Sequence, residues 1–394
     1  MPLNIGVFGA RGIPSTYSGF ETFLTALLPE LAVRGHEVTM YCRRGEVGGS
    51  DPYRGVRRVV LPAVPSKQLS TLSHGYVAAA RAVRAAHDVL LVVNVANASA
   101  CALLRLLGGR VVLNTDGQEW IRSKWGRVGR TVFLLSARAA RWSADALVSD
   151  SIAMRDIYRA KFGAESTVIP YCWTELEPTG CERVTAFGVE PRGYFLVAGR
   201  LVPENNIDAI AAAYLRSDLP HPLLVLGSAN YRSAVEARLS ELAESDDRLV
   251  LGGHVDDRSL FAALVSEALA YVHGHSVGGI NPSLIEAMGC GARIVALDTP
   301  FNREALGDAG DYFASPRRGL APALREVASE PAAVGEARRQ AARHVARVRF
   351  SRRAVADAYE RLLARVAHGN RRSKPTLPTE WDGRTPRVLA PEES

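Results

Sequence analysis

Residues 268–291 read ALAYVHGHSVGGINPSLIEAMGCG. Ala268–Val272 is a continuous apolar run, the pattern of a strand buried on both faces. Gly278 and Gly279 then permit a turn. Pro282 suits the first position of a helix, and Ser283–Met288 carries that helix on. Arg293–Leu297 is apolar again. Strand, turn, helix and strand in this order predict a βαβ unit of parallel sheet.

The same rhythm extends in both directions. Tyr194–Ala198, Leu223–Leu226 and Arg248–Leu251 are earlier apolar runs with helical stretches between them. A separate series fills the first half: Leu3–Gly9, Glu37–Cys42, Arg58–Leu61, Asp88–Val95, Arg110–Asn114, Ala146–Ser149 and Thr167–Ile169. Between its first two members, Phe20, Phe23, Leu24, Leu27, Leu28 and Leu31 recur at helical spacing, and Gly35 marks a stop. Pro178, Gly180, Gly188, Pro191 and Gly193 break up 174–193, which reads as a linker. The fold class is therefore α/β. Two doubly wound, Rossmann-like domains are expected at 1–175 and 190–348, facing each other across a cleft. Helical segments are expected at 319–329 and 333–366. The part at 349–369 is expected to pack back on the first domain. Residues 370–394, rich in Pro and charge, read as a flexible tail.

Composition narrows the class. Of 394 residues, 47% are apolar and 23% charged, as in an ordinary soluble chain. No apolar run is long enough for a transmembrane helix, and the start lacks the pattern of a secretory signal. The 5 cysteines are scattered and form no CxxC pair, which argues against a disulfide framework and for the cytoplasm. His36, His74 and His87 read as surface or helix-end histidines with no metal cluster. Residues 1–180 hold 21 Lys and Arg against 14 Asp and Glu, which is the whole of the net +7. A basic first half fits an anionic partner, or simple solubility.

Three loops carry candidate chemistry. Gly9-Ala-Arg-Gly12 to Gly19 follows the first strand, and the helix beginning near Gly19 favours an anion at its N-terminus. Its GxxGxxG spacing is not the dinucleotide fingerprint, and no acidic residue ends the second strand, so NAD is disfavoured. A tight connection explains the glycines equally well. In the second loop the backbone N–H groups near Asn281, Ser283 and Leu284, behind Gly279, are expected to meet a diphosphate. Glu286, one turn into the helix, could reach ribose hydroxyls or serve only as a dipole partner. The third loop is Gly199-Arg-Leu-Val-Pro-Glu-Asn-Asn. There Arg200 could pair with phosphate oxygens, or be a surface arginine in a turn.

These blocks carry a resemblance. Residues 273–291 with Gly199–Asn206 resemble the donor-site signature of GT-B glycosyltransferases of family 4. ARGIPSTYSGFETF, NPSLIEAM…DTPFNRE, Asn114-Thr-Asp-Gly-Gln-Glu-Trp and Arg122-Ser-Lys-Trp125 resemble bacterial rhamnosyltransferases of capsule and cell-wall polysaccharide synthesis. The resemblance spans roughly residues 3–365. It implies a retaining transfer from a nucleotide-sugar, here dTDP-L-rhamnose, to a polyprenyl-diphosphate-linked saccharide. It implies donor contacts from Gly12, Tyr17, Gly19, Arg200, Asn205, Gly279, Asn281, Ser283, Leu284 and Glu286. It also places Asp116, Glu119, Trp120, Arg122 and Lys124 on the acceptor side. Asp116, Glu119 and Arg200 are the catalytic candidates, although the acidic pair could equally be a solvated charged loop.

Two positions depart from the family. Gly278 stands where the first of two glutamates is usual, and Asn205 where Lys normally follows Glu204. No Asp-x-Asp occurs, so no metal is expected; helix N-termini, Arg200 and Lys124 or Arg11 would neutralise the diphosphate. Between 122 and 142, arginines interleave with Trp125 and Phe133 in a basic amphipathic stretch able to lie on anionic lipid. A peripheral position on the inner face of the plasma membrane follows, with no nucleic-acid recognition motif. A GT-B enzyme using a UDP- or GDP-sugar, and a nucleotide-sugar epimerase of related architecture, are the alternatives.

Overall fold

The structure is a computed structural model and describes residues 1–14, 19–66, 69–115, 117–122, 125–173, 175–176, 178–228 and 234–369. The chain divides into two compact units. Among the described residues, one is Met1–Cys172 with 350–369, and the other is Trp173–Arg349.

The first unit is built on seven strands: β1 (Asn4–Phe8), β2 (Glu37–Arg43), β3 (Arg57–Leu61), β4 (Val89–Val93), β5 (Val111–Asn114), β6 (Ala146–Ser149) and β7 (Thr167–Val168). Their order is β3-β2-β1-β4-β5-β6-β7, and every pairing is parallel. In register, Ile5 faces Val38 on one side and Val89 on the other. The second unit has β8 (Phe195–Ala198), β9 (Leu223–Leu226), β10 (Leu249–Gly253), β11 (Ala270–His273), β12 (Ile294–Leu297) and β13 (Asp311–Phe313), in the order β10-β9-β8-β11-β12-β13. Central strands such as VLLVV in β4 and IVAL in β12 are wholly buried. That is why they read as unbroken apolar runs and do not alternate.

Helices connect the strands. In the first unit these are α1 (Gly19–Val33), α2 (Ser70–Arg84), α3 (Ala98–Leu106), α4 (Arg127–Ser143) and α5 (Ile152–Phe162). In the second they are α6 (Ile207–Leu215), α7 (Ala234–Ser245), α8 (Arg258–Ser266), α9 (Pro282–Gly289), α10 (Pro300–Leu306), α11 (Leu320–Ser329) and α12 (Ala332–Arg349). Each sheet has one place where its strand order reverses, between β1 and β4 and between β8 and β11. The carboxyl ends of strands at such a point are where open α/β sheets bind ligands.

Three expectations need correction. The segment expected at 333–366 is two helices, α12 and α13 (Arg352–His368). Phe350, which separates them in sequence, is buried, and Ser351 caps α13, its Oγ accepting from the Ala354 N–H at 3.2 Å. α13 sits in the first unit: Arg34 at the end of α1 pairs with Asp357 and Glu360, and Asn114 Nδ2 donates to the buried Tyr359 hydroxyl at 2.9 Å. The supposed linker holds a 3-10 helix, Cys181–Phe187. The three histidines are not surface groups. His74 is fully buried, and His36 is buried with its Nδ1 accepting from Leu3 N–H at 3.1 Å. His87 is hydrogen-bonded between Tyr41 and Asn4. No helix among the described residues is long and apolar enough to cross a membrane.

Candidate active site

In the second unit the loops after β8 and β11 are fastened to each other. Gly199 has φ +158°, and a Cβ there would stand 3.3 Å from both Asn205 Nδ2 and His275 Cε1. Ser276 donates to the Glu204 carbonyl from N–H at 3.0 Å and from Oγ at 2.9 Å. Asn206, in the left-handed region, donates from Nδ2 to the Gly274 carbonyl at 2.8 Å. Arg200, whose side chain is exposed, lies in the β8 loop so fastened, and the β11 loop leads on to α9.

Several expected ligand groups are already committed. Asn281 caps α9, its Oδ1 accepting from Ser283 N–H at 3.0 Å and Ser283 Oγ at 2.8 Å. Leu284 N–H donates to the Asn281 carbonyl at 3.0 Å. The N–H groups of Ser283 and Leu284, expected to face a diphosphate, are therefore taken up by the cap. Asn205 is buried and donates from Nδ2 to the Arg200 carbonyl at 2.8 Å, so it shapes the arginine's loop and does not extend toward phosphate as a lysine would. Gly279 lies in the turn before the cap. Glu286 is partly exposed and hydrogen-bonded to Arg258 of α8. Arg258 lay outside the sequence reading, because 28 residues separate it from Glu286 and nothing local signals the pairing.

The sequence reading also missed His273 and His275. Residues two apart on an extended segment share a face. Here their rings stack with centroids 4.4 Å apart. His273 is fully buried, and burial lowers its pKa to about 3, so it is neutral.

In the first unit the loop after β1 is held by a buried carboxylate. Glu21, in the first turn of α1, accepts from Arg11 N–H at 2.8 Å. The Arg11 guanidinium pairs with Glu46 at 2.7 Å, so its expected part in neutralising a diphosphate meets a competing partner. Gly12, at φ +150°, packs on Cys42 of β2 and on Val47 beyond it: a Cβ would meet Cys42 Sγ at 3.1 Å and Val47 Cγ1 at 2.6 Å. Gly19 is the first residue of α1. Tyr17, Asp116 and Lys124 lie outside the described residues.

After β5 the chain forms a one-turn 3-10 helix, Glu119–Ile121. Glu119 is buried; Trp125 Nε1 donates to its Oε2 at 2.7 Å, and Arg122 pairs with Oε1 at 2.6 Å. Trp120 points into the core, edge-on to Phe162 at 5.2 Å and Tyr158 at 5.7 Å. It therefore shapes the loop from below and is no open acceptor surface. Phe133, expected on the lipid side, is also buried, with Trp125 packed on it at 5.0 Å.

Comparison with known proteins agrees with this topology. Sucrose-phosphate synthase of Thermosynechococcus elongatus superposes with a TM-score of 0.76 at 18% identity, over 92% of this chain and 99% of that one. Anabaena HepE in complex with UDP superposes with a TM-score of 0.69 at 14% identity, over 92% and 100%. The fold is GT-B. Within this GT-B chain, residues 18–172 match the family model of the glycosyl transferase 4-like domain. O-antigen chain mannosyltransferase B of Escherichia coli is 26% identical over 158 residues, which is 39% of this chain and 40% of that protein. The Glu119 loop lies inside the segment that matches this model, and the convergence of the β8 and β11 loops lies in the second unit of the GT-B fold.

Proposed function

We propose that this protein is a retaining glycosyltransferase that moves a sugar from a nucleotide-sugar to an acceptor hydroxyl. The observation that carries the reading is the fastening of the β8 and β11 loops at the reversal point of the second sheet. It joins the loop that carries Arg200 to the loop that leads into α9, and Glu286 lies one turn into that helix. Arg200 suits a diphosphate, and Glu286 suits sugar or ribose hydroxyls. In the step itself the acceptor oxygen bonds to the anomeric carbon as that carbon's bond to the diphosphate oxygen breaks. The acceptor's proton leaves with the diphosphate. The protein positions both partners and stabilises the departing charge, and no enzyme nucleophile is needed.

The donor proposed is dTDP-L-rhamnose, on the strength of the rhamnosyl-type blocks. The acceptor proposed is a polyprenyl-diphosphate-linked saccharide, met at the membrane surface, with no metal taking part. A UDP- or GDP-sugar donor is the second reading, favoured by the UDP bound to HepE and by the mannosyltransferase relative. Thermal shift with dTDP, UDP and GDP, followed by product analysis, decides between them. At a nucleotide concentration 100 times its Kd, stabilisation of about 2.7 kcal/mol is expected. A larger shift with UDP or GDP removes rhamnose. Isomerisation of the donor without acceptor removes the transferase.

A further inference from the structure

α4 has two apolar arcs. Phe133, Ala137 and Ala140 face the core. At about 100° per residue, Val128, Val132, Leu135 and Trp142 share a second arc about 80° wide. That second arc is bare: Val128 is 79% exposed, Leu135 60% and Trp142 59%. Arg127, Arg130, Arg138 and Arg141 are exposed on the arc beside it. α3 continues the patch. Arg105 near its end donates from Nη1 to the Trp142 carbonyl and from Nε to Asp145 at 3.1 Å, which ties the last turn of α3 to the end of α4. Leu106 there is 84% exposed.

We propose that this α3–α4 face docks on an anionic lipid bilayer. Neither helix contains an acidic residue. A second copy of the chain, meeting the same patch across a two-fold axis, would set arginines against arginines. Nucleic acid would satisfy the arginines and leave Val128, Leu135 and Trp142 without an apolar partner. An anionic bilayer satisfies both arcs: the apolar side chains enter the interface and the arginines meet headgroup phosphates. The face differs from the one the sequence pattern offers, because Phe133 and Trp125 turn inward. The inference rests on the transferase reading only for its purpose, which is to bring the acceptor site to a lipid-linked substrate.

The test is co-sedimentation of the full chain with vesicles of phosphatidylcholine alone and of phosphatidylcholine mixed with phosphatidylglycerol. Expected is binding to the anionic vesicles at low salt, weakened at high salt. Leu135→Glu with Val132→Glu, and separately Arg127→Glu with Arg130→Glu and Arg138→Glu, should each weaken it by about tenfold or more. Val348→Glu, an exposed apolar position in the second unit, should change nothing. No vesicle binding by the wild type overturns the proposal. So does equal binding by the α4 variants, or a concentration-dependent dimer abolished by Leu135→Glu in a protein that ignores vesicles. Nucleotide binding is read on the same samples, so failure of the docking face and failure of the transferase reading are told apart.

Discussion

The imidazole of His275 lies on that of His273, with ring centroids 4.4 Å apart and the planes 10° from parallel. His273 is the buried member, and among the described residues neither of its ring nitrogens has a hydrogen-bond partner. Its pKa, lowered by burial to about 3, predicts a specific acid sensitivity. The unfolded chain takes up this proton below about pH 6.5, while the native state refuses it until about pH 3. The associated stability is therefore complete above pH 6.5 and falls as the pH drops through that window. His74, lowered to about 4 by burial and by Arg43, adds a second proton with the same sign. Urea unfolding at pH 7, 6 and 5 should show the loss, and His273→Phe should reduce the slope by up to about 1.4 kcal/mol per pH unit. An unchanged slope would mean that His273 titrates alike in both states.

The hydrogen bond between Arg258 and Glu286 predicts graded effects on donor binding. Glu286→Ala removes the carboxylate and should weaken the nucleotide-sugar by roughly 10- to 150-fold, the range of a charged hydrogen bond. Arg258→Ala leaves the carboxylate but frees its orientation, and should weaken binding by only about fivefold. Calorimetric titration of both variants reads the two values. Wild-type affinity in a folded Glu286→Ala protein would leave Glu286 with no role beyond holding Arg258.

Asn205 predicts an effect on stability more than on the nucleotide. Its Nδ2 bond to the Arg200 carbonyl is made inside the fold, where burying a lysine ammonium is costly. Asn205→Lys should lower stability by about 1–3 kcal/mol without tightening the nucleotide. Tighter binding with unchanged melting would show that a lysine can leave this pocket for the phosphates.

How much was legible follows from which interactions are local. The parallel strands stand out because burial on both faces makes them continuous apolar runs, and their carboxyl ends mark the loops that matter. β13 escaped notice because Asp311–Phe313 is three residues long and opens on a charge. The sequence sets 349–369 apart as a C-terminal helix yet carries helical periodicity across 333–366, because no glycine or proline marks the break at Phe350 and Ser351. Side-chain partners were the least legible part. Glu119 with Arg122 is a three-residue spacing that sequence could have offered, whereas Glu286 with Arg258 exists only through packing. On α4 the periodicity shows two apolar arcs but not which of them faces the core. The small Ala137 and Ala140 beside Phe133 let that arc approach its neighbours closely, and it is the arc that is buried.

Glu119 is the remaining question. Both its oxygens are engaged, Oε2 by Trp125 at 2.7 Å and Oε1 by Arg122 at 2.6 Å, in a position almost closed to solvent. A carboxylate so held, and so nearly closed to solvent, orients the loop that follows β5 and offers an acceptor hydroxyl little access. We therefore expect Glu119 to position Trp125 and Arg122 and not to act as a base. Glu119→Gln keeps the shape and can still accept from Trp125, but it leaves the Arg122 charge unpaired. Stability should fall by about 1–3 kcal/mol and the rate with it. The pH dependence of kcat/KM should keep its shape, since no titrating catalytic group has been removed. Trp125→Phe, which loses one hydrogen bond but no charge, should lower the rate less. Disappearance of the acid limb of the profile in Glu119→Gln, with little change in melting temperature, would instead make Glu119 the base.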